Sequence, residues 1–212
     1  RREMTKKEQN PRASNTGVTP GKDKPETTWR VDWLSATWHK PHKPILPDTK
    51  PIEGKPMHGY TSSARYENGV IHLFGDERMG EHAIYPGSAL ADYDGVKLLK
   101  DVVSTGAKVA RLDIALDCRN YGFTLDKFQI EVDKDDVETK AHSIACFQDM
   151  RSKTGTVYIG RKASEKMTRI YDKAAETRTD GDYWRIEHVT RGKAAKRLAV
   201  ALSQGKTTPE KV

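Results

Sequence analysis

The sequence is poor in the residues from which covalent and zinc scaffolds are built. Its 212 residues include only two cysteines, Cys118 and Cys146, with no CxxC pair. A zinc ribbon and a disulfide framework are therefore excluded, and the two read as free thiols of a protein in a reducing cytoplasm. No apolar run approaches the roughly 20 residues that a membrane-spanning helix needs, and no secretory signal is visible. There is no Gly-x-x-x-x-Gly-Lys-Ser/Thr loop, which argues against an ATPase. There is also no His-hydrophobic-His triplet. The nearest histidine pair, His39 and His42, sits in a proline-rich stretch and reads as a solvated loop feature. The first residue is not Met, and Gly205 to Val212 reads as a linker or a truncated end, so a fragment of something longer is expected.

What is present is charge, unevenly placed. The formal net charge is +7. Residues 1–28 hold seven Lys/Arg against four Asp/Glu, and residues 151–212 hold fifteen against seven. Residues 29–150 reverse the balance, with fifteen against nineteen. A basic surplus favours an anionic partner such as nucleic acid. An acidic centre between basic ends is the pattern of a carboxylate site flanked by surface that contacts DNA.

Periodicity divides the chain into residues 1–28, a disordered basic arm; 29–204, one domain; and 205–212, the linker. Strand patterns are expected at Val31–Trp38, Tyr60–Tyr66, Val70–Phe74, Val109–Asp117, Thr156–Gly160, Met167–Lys173 and Tyr183–Val189. Asn68-Gly69 marks a hairpin turn. Residues 39–58 read as a loop. Helical patterns are expected from Gly87 through Val103, from Phe123 to Ile130 with Thr124 as N-cap, and from Gly192 to Leu202. Residues 131–141 are charged and give no assignment, and no internal repeat is visible. The layout is α+β, a mainly antiparallel sheet with helices on one face.

Alternation along the strands sorts side chains by face. In 109–117, Leu112, Ile114 and Leu116 share one face, and Arg111, Asp113, Ala115 and Asp117 share the other. The same count groups Arg169, Tyr171 and Lys173, then Arg185 and Glu187, with Tyr158 opposite Val157 and Ile159. If these strands are neighbours, one face displays carboxylates, cations and a tyrosine. Carboxylate oxygens suit Mg²⁺ or Mn²⁺, a metal offsets charge developing at a phosphate, and nearby Lys and Arg favour a phenolate nucleophile. The same pattern also describes a merely solvated face, or a tyrosine present for its β propensity.

Several runs resemble the replication initiation factor family. They are Val31-Asp32-Trp33-Leu34-Ser35, Arg111 to Asp117, Thr156 to Ser164, Arg169-Ile170-Tyr171-Asp172-Lys173 with Glu176, and Trp184-Arg185-Ile186-Glu187. The resemblance implies a central five-stranded sheet related to the HUH (His-hydrophobic-His) endonuclease fold, a divalent metal (Mg²⁺ or Mn²⁺) and a nicking tyrosine. Carried over residue by residue, it makes Tyr171 the nucleophile, with Tyr158 as its rival and Tyr60 third. Asp113 and Glu187 become the metal ligands with Asp117 a weaker third, and Arg169, Lys173 and Arg185 bind the scissile phosphate. The missing His triplet departs from the wider superfamily and leaves the metal to carboxylates, since alternation points His188 to the core side.

The implied activity is site- and strand-specific DNA nicking, which leaves a 5′-phosphotyrosine and a free 3′-OH and begins rolling-circle replication or conjugative transfer. The implied partners are origin DNA, single-stranded or as a hairpin or supercoil, a separate helicase, and a second copy of the chain; no membrane is implied. Arg111, Arg191, Lys193, Lys196 and Arg197 are expected to contact DNA phosphates. Two other functions stay open: a non-catalytic nucleic-acid-binding module, and a metal-dependent nuclease that uses water.

Overall fold

A computed structural model describes residues 24–45, 50–149, 151–152 and 154–212. The expected arm falls on residues 1–23, outside the described residues, except for its end: Glu26, Thr27 and Thr28 open the first strand.

The strands are β1 (Glu26–Trp38), β2 (Pro51–Glu53), β3 (Ser62–Tyr66), β4 (Ile71–Asp76), β5 (Gly80–Pro86), β6 (Lys108–Arg119), β7 (Ile144–Gln148), β8 (Gly155–Ile159), β9 (Lys166–Asp172) and β10 (Tyr183–Arg191). They form one sheet in the order β2-β3-β4-β5-β1-β6-β10-β9-β8-β7. Each pairing is antiparallel. The sheet therefore has ten strands where five were expected. Read outward from the centre, each half repeats one order: β1 is followed by β5, β4, β3 and β2, and β6 by β10, β9, β8 and β7. The expected five-stranded sheet corresponds to one half. This repeat is topological and leaves no sequence signal, because the two halves share strand order and not residues.

The helices are α1 (Gly87–Leu90), α2 (Gly95–Ser104), α3 (Leu125–Asp133), α4 (Lys173–Thr177) and α5 (Gly192–Ser203). The single helix expected from Gly87 to Val103 is two, because Asp94 stops the chain in an extended conformation and caps α2, accepting from Val96 N and Lys97 N at 3.0 Å each. Thr124 caps α3 as its sequence predicts, accepting from Lys127 N at 3.2 Å. The proline-rich stretch contains β2, an edge strand whose three residues are all exposed; proline is tolerated there because the outer ladder needs no N–H.

The apolar face of the sheet builds the core. Val31, Leu34, Leu112 and Ile114 pack with Leu98, Leu99 and Val102 of α2 and Ala195, Ala199 and Leu202 of α5. A second cluster joins Leu125 of α3 to Val157, Ile170 and Trp184. Leu112 and Ile114 are fully buried beneath these helices, so the face carrying Asp113 looks the other way.

Candidate active site

Register fixes the site. Across the second half, Tyr158, Arg169, Glu187, Ala115 and Arg30 stand in one row. The next row on the same face is Thr156, Tyr171, Arg185, Asp117 and Thr28. On the other side of the first row, Val189 stands opposite Asp113, which stands opposite Trp33. Alternation thus brings Asp113, Asp117, Arg169, Tyr171, Arg185, Glu187 and Tyr158 to one face. Lys173 has left the strand for the first position of α4, but its Nζ lies 5.7 Å from the Tyr171 ring centre and pairs with Glu176.

The carboxylates are buried, and each is met by an arginine. Asp113 and Glu187 are essentially inaccessible. Both oxygens of Asp113 accept from Arg111, with Nε at 3.0 Å from each. Arg169 grips Glu187 with two parallel bonds, Nε to Oε2 at 2.8 Å and Nη2 to Oε1 at 2.7 Å, the fork geometry that makes Arg–carboxylate pairs strong. Arg185 holds Asp117 through Nε at 2.6 Å and Nη2 at 2.9 Å, and its remaining Nη1 reaches Asp32 at 2.6 Å.

These pairs differ in what they can still do. Arg185 is 3% exposed and its donors are spent on Asp117, Asp32 and the Tyr183 hydroxyl, so it is an internal anchor and not the phosphate binder expected from sequence. Arg111 and Arg169 keep about a third of their side chains in solvent, at 29% and 34%. They keep solvent-facing surface that a phosphate can approach.

Asp32 was given no role in the sequence reading. The pairing of β1 with β6 slips between Val31 and Trp33, and such a bulge breaks the alternation so that successive residues face the same way. Asp32 reaches Arg185 while Trp33, its neighbour, lies under the Arg111 guanidinium at 4.6 Å. Burial raises the Asp32 carboxyl above the usual range; Arg185 opposes the shift and Glu187 adds to it.

The Tyr171 hydroxyl donates to Glu187 Oε2 at 3.4 Å. It is buried, yet among charged groups and not in the apolar core. Burial and the Glu187 carboxylate push its pKa up, outweighing Arg185 and Arg169, which pull it down. The expectation that the neighbouring cations favour the phenolate is therefore reversed: each cation is already neutralised by a carboxylate, and desolvation wins. The rival Tyr158 is less buried, with Lys162 Nζ 4.3 Å from its ring centre and Phe147 edge-on at 5.7 Å.

The Asp113 carboxyl is also raised, by burial first, with Arg111 opposing and Glu187 adding to the shift. The two carboxylates offer hard oxygen donors of the kind a divalent cation takes, but in this structure their oxygens accept from Arg111 and Arg169. Among the described residues no group of three or more His, Cys, Asp or Glu is disposed to hold a metal. The pair would be completed by water and phosphate oxygens, as Mg²⁺ commonly is. Asp117 is taken up by Arg185 and stands in the row beyond Glu187.

The remaining expected DNA contacts divide by face. Arg111 is at the site. Lys193, Lys196 and Arg197 line a surface groove on α5, which packs against the opposite face of the sheet, and Arg191 is held by the Ser164 carbonyl at 3.3 Å. The three α5 cations are separated by the sheet from the phosphate that Asp113 and Glu187 would meet, whereas Arg191 stands opposite Arg111 in the register of β10 and β6. His188, as alternation requires, lies on the helix side, with Thr168 Oγ1 3.2 Å from its Nδ1.

The model of the replication initiation factor family matches residues 107–208, the segment from β6 through α5 that carries Asp113, Tyr171 and Glu187. Over that segment, just under half of its length, the chain is similar to the replication initiation factor family. A solved structure of a rolling circle replication initiator protein from Geobacillus stearothermophilus superposes with a TM-score of 0.72 at 17% identity, covering 85% of this chain and 80% of that one. The likeness extends the shared fold through the first half of the sheet, which the family model does not reach. No curated protein sequence matches. No helix among the described residues is long and apolar enough to cross a membrane.

Proposed function

We propose that the protein cuts one strand of origin DNA by attack of a tyrosine on phosphorus, and that Tyr171 is that tyrosine. The observation that carries this reading is the hydrogen bond from the Tyr171 hydroxyl to Glu187, beside Asp113 and under Arg169. In the step, the phenolic oxygen forms a bond to phosphorus as its proton passes to the Glu187 carboxylate. The P–O3′ bond breaks, the 3′ oxygen takes up a proton, and the 5′ end stays on the protein as a phosphotyrosine. Arg169 and Arg111, partly exposed beside the site, meet the phosphate oxygens and offset the charge that develops there. Asp113 and Glu187 are the residues that would hold Mg²⁺ or Mn²⁺, which when bound supplies positive charge against the scissile phosphate. Arg185, with Asp117 and Asp32, keeps the strands under the site in place, and Lys173 flanks the tyrosine ring.

The test is a gel assay on single-stranded or supercoiled origin DNA with and without divalent cation. A protein–DNA adduct that needs the cation and is lost in Tyr171→Phe supports the reading. An adduct retained in Tyr171→Phe and lost in Tyr158→Phe transfers the role to Tyr158, whose greater exposure favours it. Hydrolysed ends without adduct identify water as the nucleophile. Salt-sensitive binding with no cleavage identifies a binding module. Dependence on a helicase and on a second copy is read from the same assay with those components added.

A further inference from the structure

The repeated strand order gives the sheet a second place equivalent to the active site. In the second half the site lies on the central strand β6 and its outer neighbour β10; in the first half the same positions belong to β1 and β5. There an open cleft of about 360 Å³ is found, lined by Trp33, Ser35, Tyr60, His82, Ile84 and Arg111, with exposed His58 and Ala110 at its margin and no carboxylate in its lining. Register places Ser35 opposite both Ile84 and Arg111, and Trp33 opposite Asp113. The cleft therefore continues the face of the active site, and Arg111 is the wall between them, with its guanidinium bonded to Asp113 on one side and stacked on Trp33 on the other.

We propose that this cleft binds an unpaired nucleobase of the strand whose phosphate occupies the Asp113–Glu187 site. The chemistry of the lining is that of a base receptor. Trp33, Tyr60 and the Arg111 plane offer flat faces for stacking, which is tolerant of base identity. Ser35 and His82 offer hydrogen-bonding groups to a base edge. The His82 ring accepts or donates toward Thr37 Oγ1 at 2.8 Å, which fixes its plane, and stacks near Tyr60 with centres 6.4 Å apart. Burial, aided by His58, lowers its pKa to about 4, so it presents a neutral imidazole and no charge for a second phosphate. A cleft of this size is at the lower end of small-molecule sites, about 300–1,000 Å³, which suits one base and not a duplex.

This inference rests on the strand passing through the proposed nicking site, but it is tested by binding alone. The intact protein is titrated with a labelled oligothymidylate and with a strand of equal length that is abasic throughout, while tryptophan fluorescence and anisotropy are followed. The expected result is tighter binding of the base-bearing strand with quenching of tryptophan. Tyr60→Ala removes roughly tenfold or more of that preference and leaves affinity for the abasic strand unchanged. Trp33→Phe removes the quenching. His58→Asn, at the exposed margin and compatible with the left-handed backbone there, provides a second variant, expected to lower the base preference and not the affinity for the abasic strand. Equal affinity of the wild-type protein for both strands, or a base preference untouched by Tyr60→Ala, overturns the proposal. A failure of the nicking reading looks different: no adduct forms in the cleavage assay, whatever the base preference.

Discussion

At the scale of single residues, the three arginine–carboxylate pairs look alike and have different consequences. Arg185 serves two carboxylates, Asp117 and Asp32, from a buried position. Arg185→Ala leaves Asp32 without its partner and Asp117 with only Arg30, 3.8 Å away, and a loss of about 3–5 kcal/mol is expected in urea unfolding. A loss under 1 kcal/mol would show that solvent reaches these carboxylates and that the anchor role is wrong. Tyr171→Phe gives up one long hydrogen bond at 3.4 Å, so its melting temperature stays near that of the wild type while the adduct disappears. His82 adds a dependence on pH. Its folded pKa lies near 4 against an ordinary value near 6.5. Between those values the unfolded chain binds more protons than the folded one, so stability present above pH 6.5 is lost as pH falls toward 4. The upper bound is about 3 kcal/mol. Asp113 and Asp32, whose carboxyls are raised, act with the opposite sign in the acid range. The difference between wild type and His82→Asn isolates the histidine, and a difference that does not change with pH removes it.

At the scale of elements, the bulge in β1 is the device that completes the site. It turns both Asp32 and Trp33 to the working face, and α1 begins directly against it. A Cβ on Gly87 would lie 2.8 Å from Asp32 Oδ1 and 3.0 Å from the Asp32 carbonyl oxygen. The first of these atoms is held by Arg185 and cannot give way freely. Gly87→Ala is expected to cost about 1–3 kcal/mol and to slow adduct formation, whereas Asp94→Ala, at the cap of α2 on the other face, is expected to cost about 1 kcal/mol without slowing it. Equal rates in both variants would separate the bulge from the chemistry. The bulge also explains what the sequence made legible. Asp113, Asp117, Arg185 and Glu187 were placed on one face because β6 and β10 run in unbroken alternation. Asp32 was invisible because alternation breaks at that residue. β5 and β7 escaped notice for a related reason: Gly80–Pro86 and Ile144–Gln148 lack a clean apolar period, and pairing with neighbouring strands decides their conformation.

At the scale of the whole molecule, positive charge lies on both faces and negative charge lies between. The α5 cations Lys193, Lys196 and Arg197 are separated from Asp113 by the sheet itself. A short single strand in the site cannot reach them, but a long duplex can bend around the edge. The triple change to alanine is therefore expected to lower the slope of log affinity against log salt by about 2–3 for a long origin duplex and to leave a short oligonucleotide unaffected. An unchanged slope for the duplex would mean that these side chains only meet water.

The ion pair between Asp32 and Arg185 spans 153 residues of chain. A ribosome making this protein releases the acidic half of the pocket first and supplies its balancing guanidinium only when β10 emerges. Until then, Asp32 lacks the guanidinium that balances it in the finished fold, while Asp113 already has Arg111 and Asp117 has Arg30. The proposed nicking site is thus incomplete until the last strand of the sheet has been made.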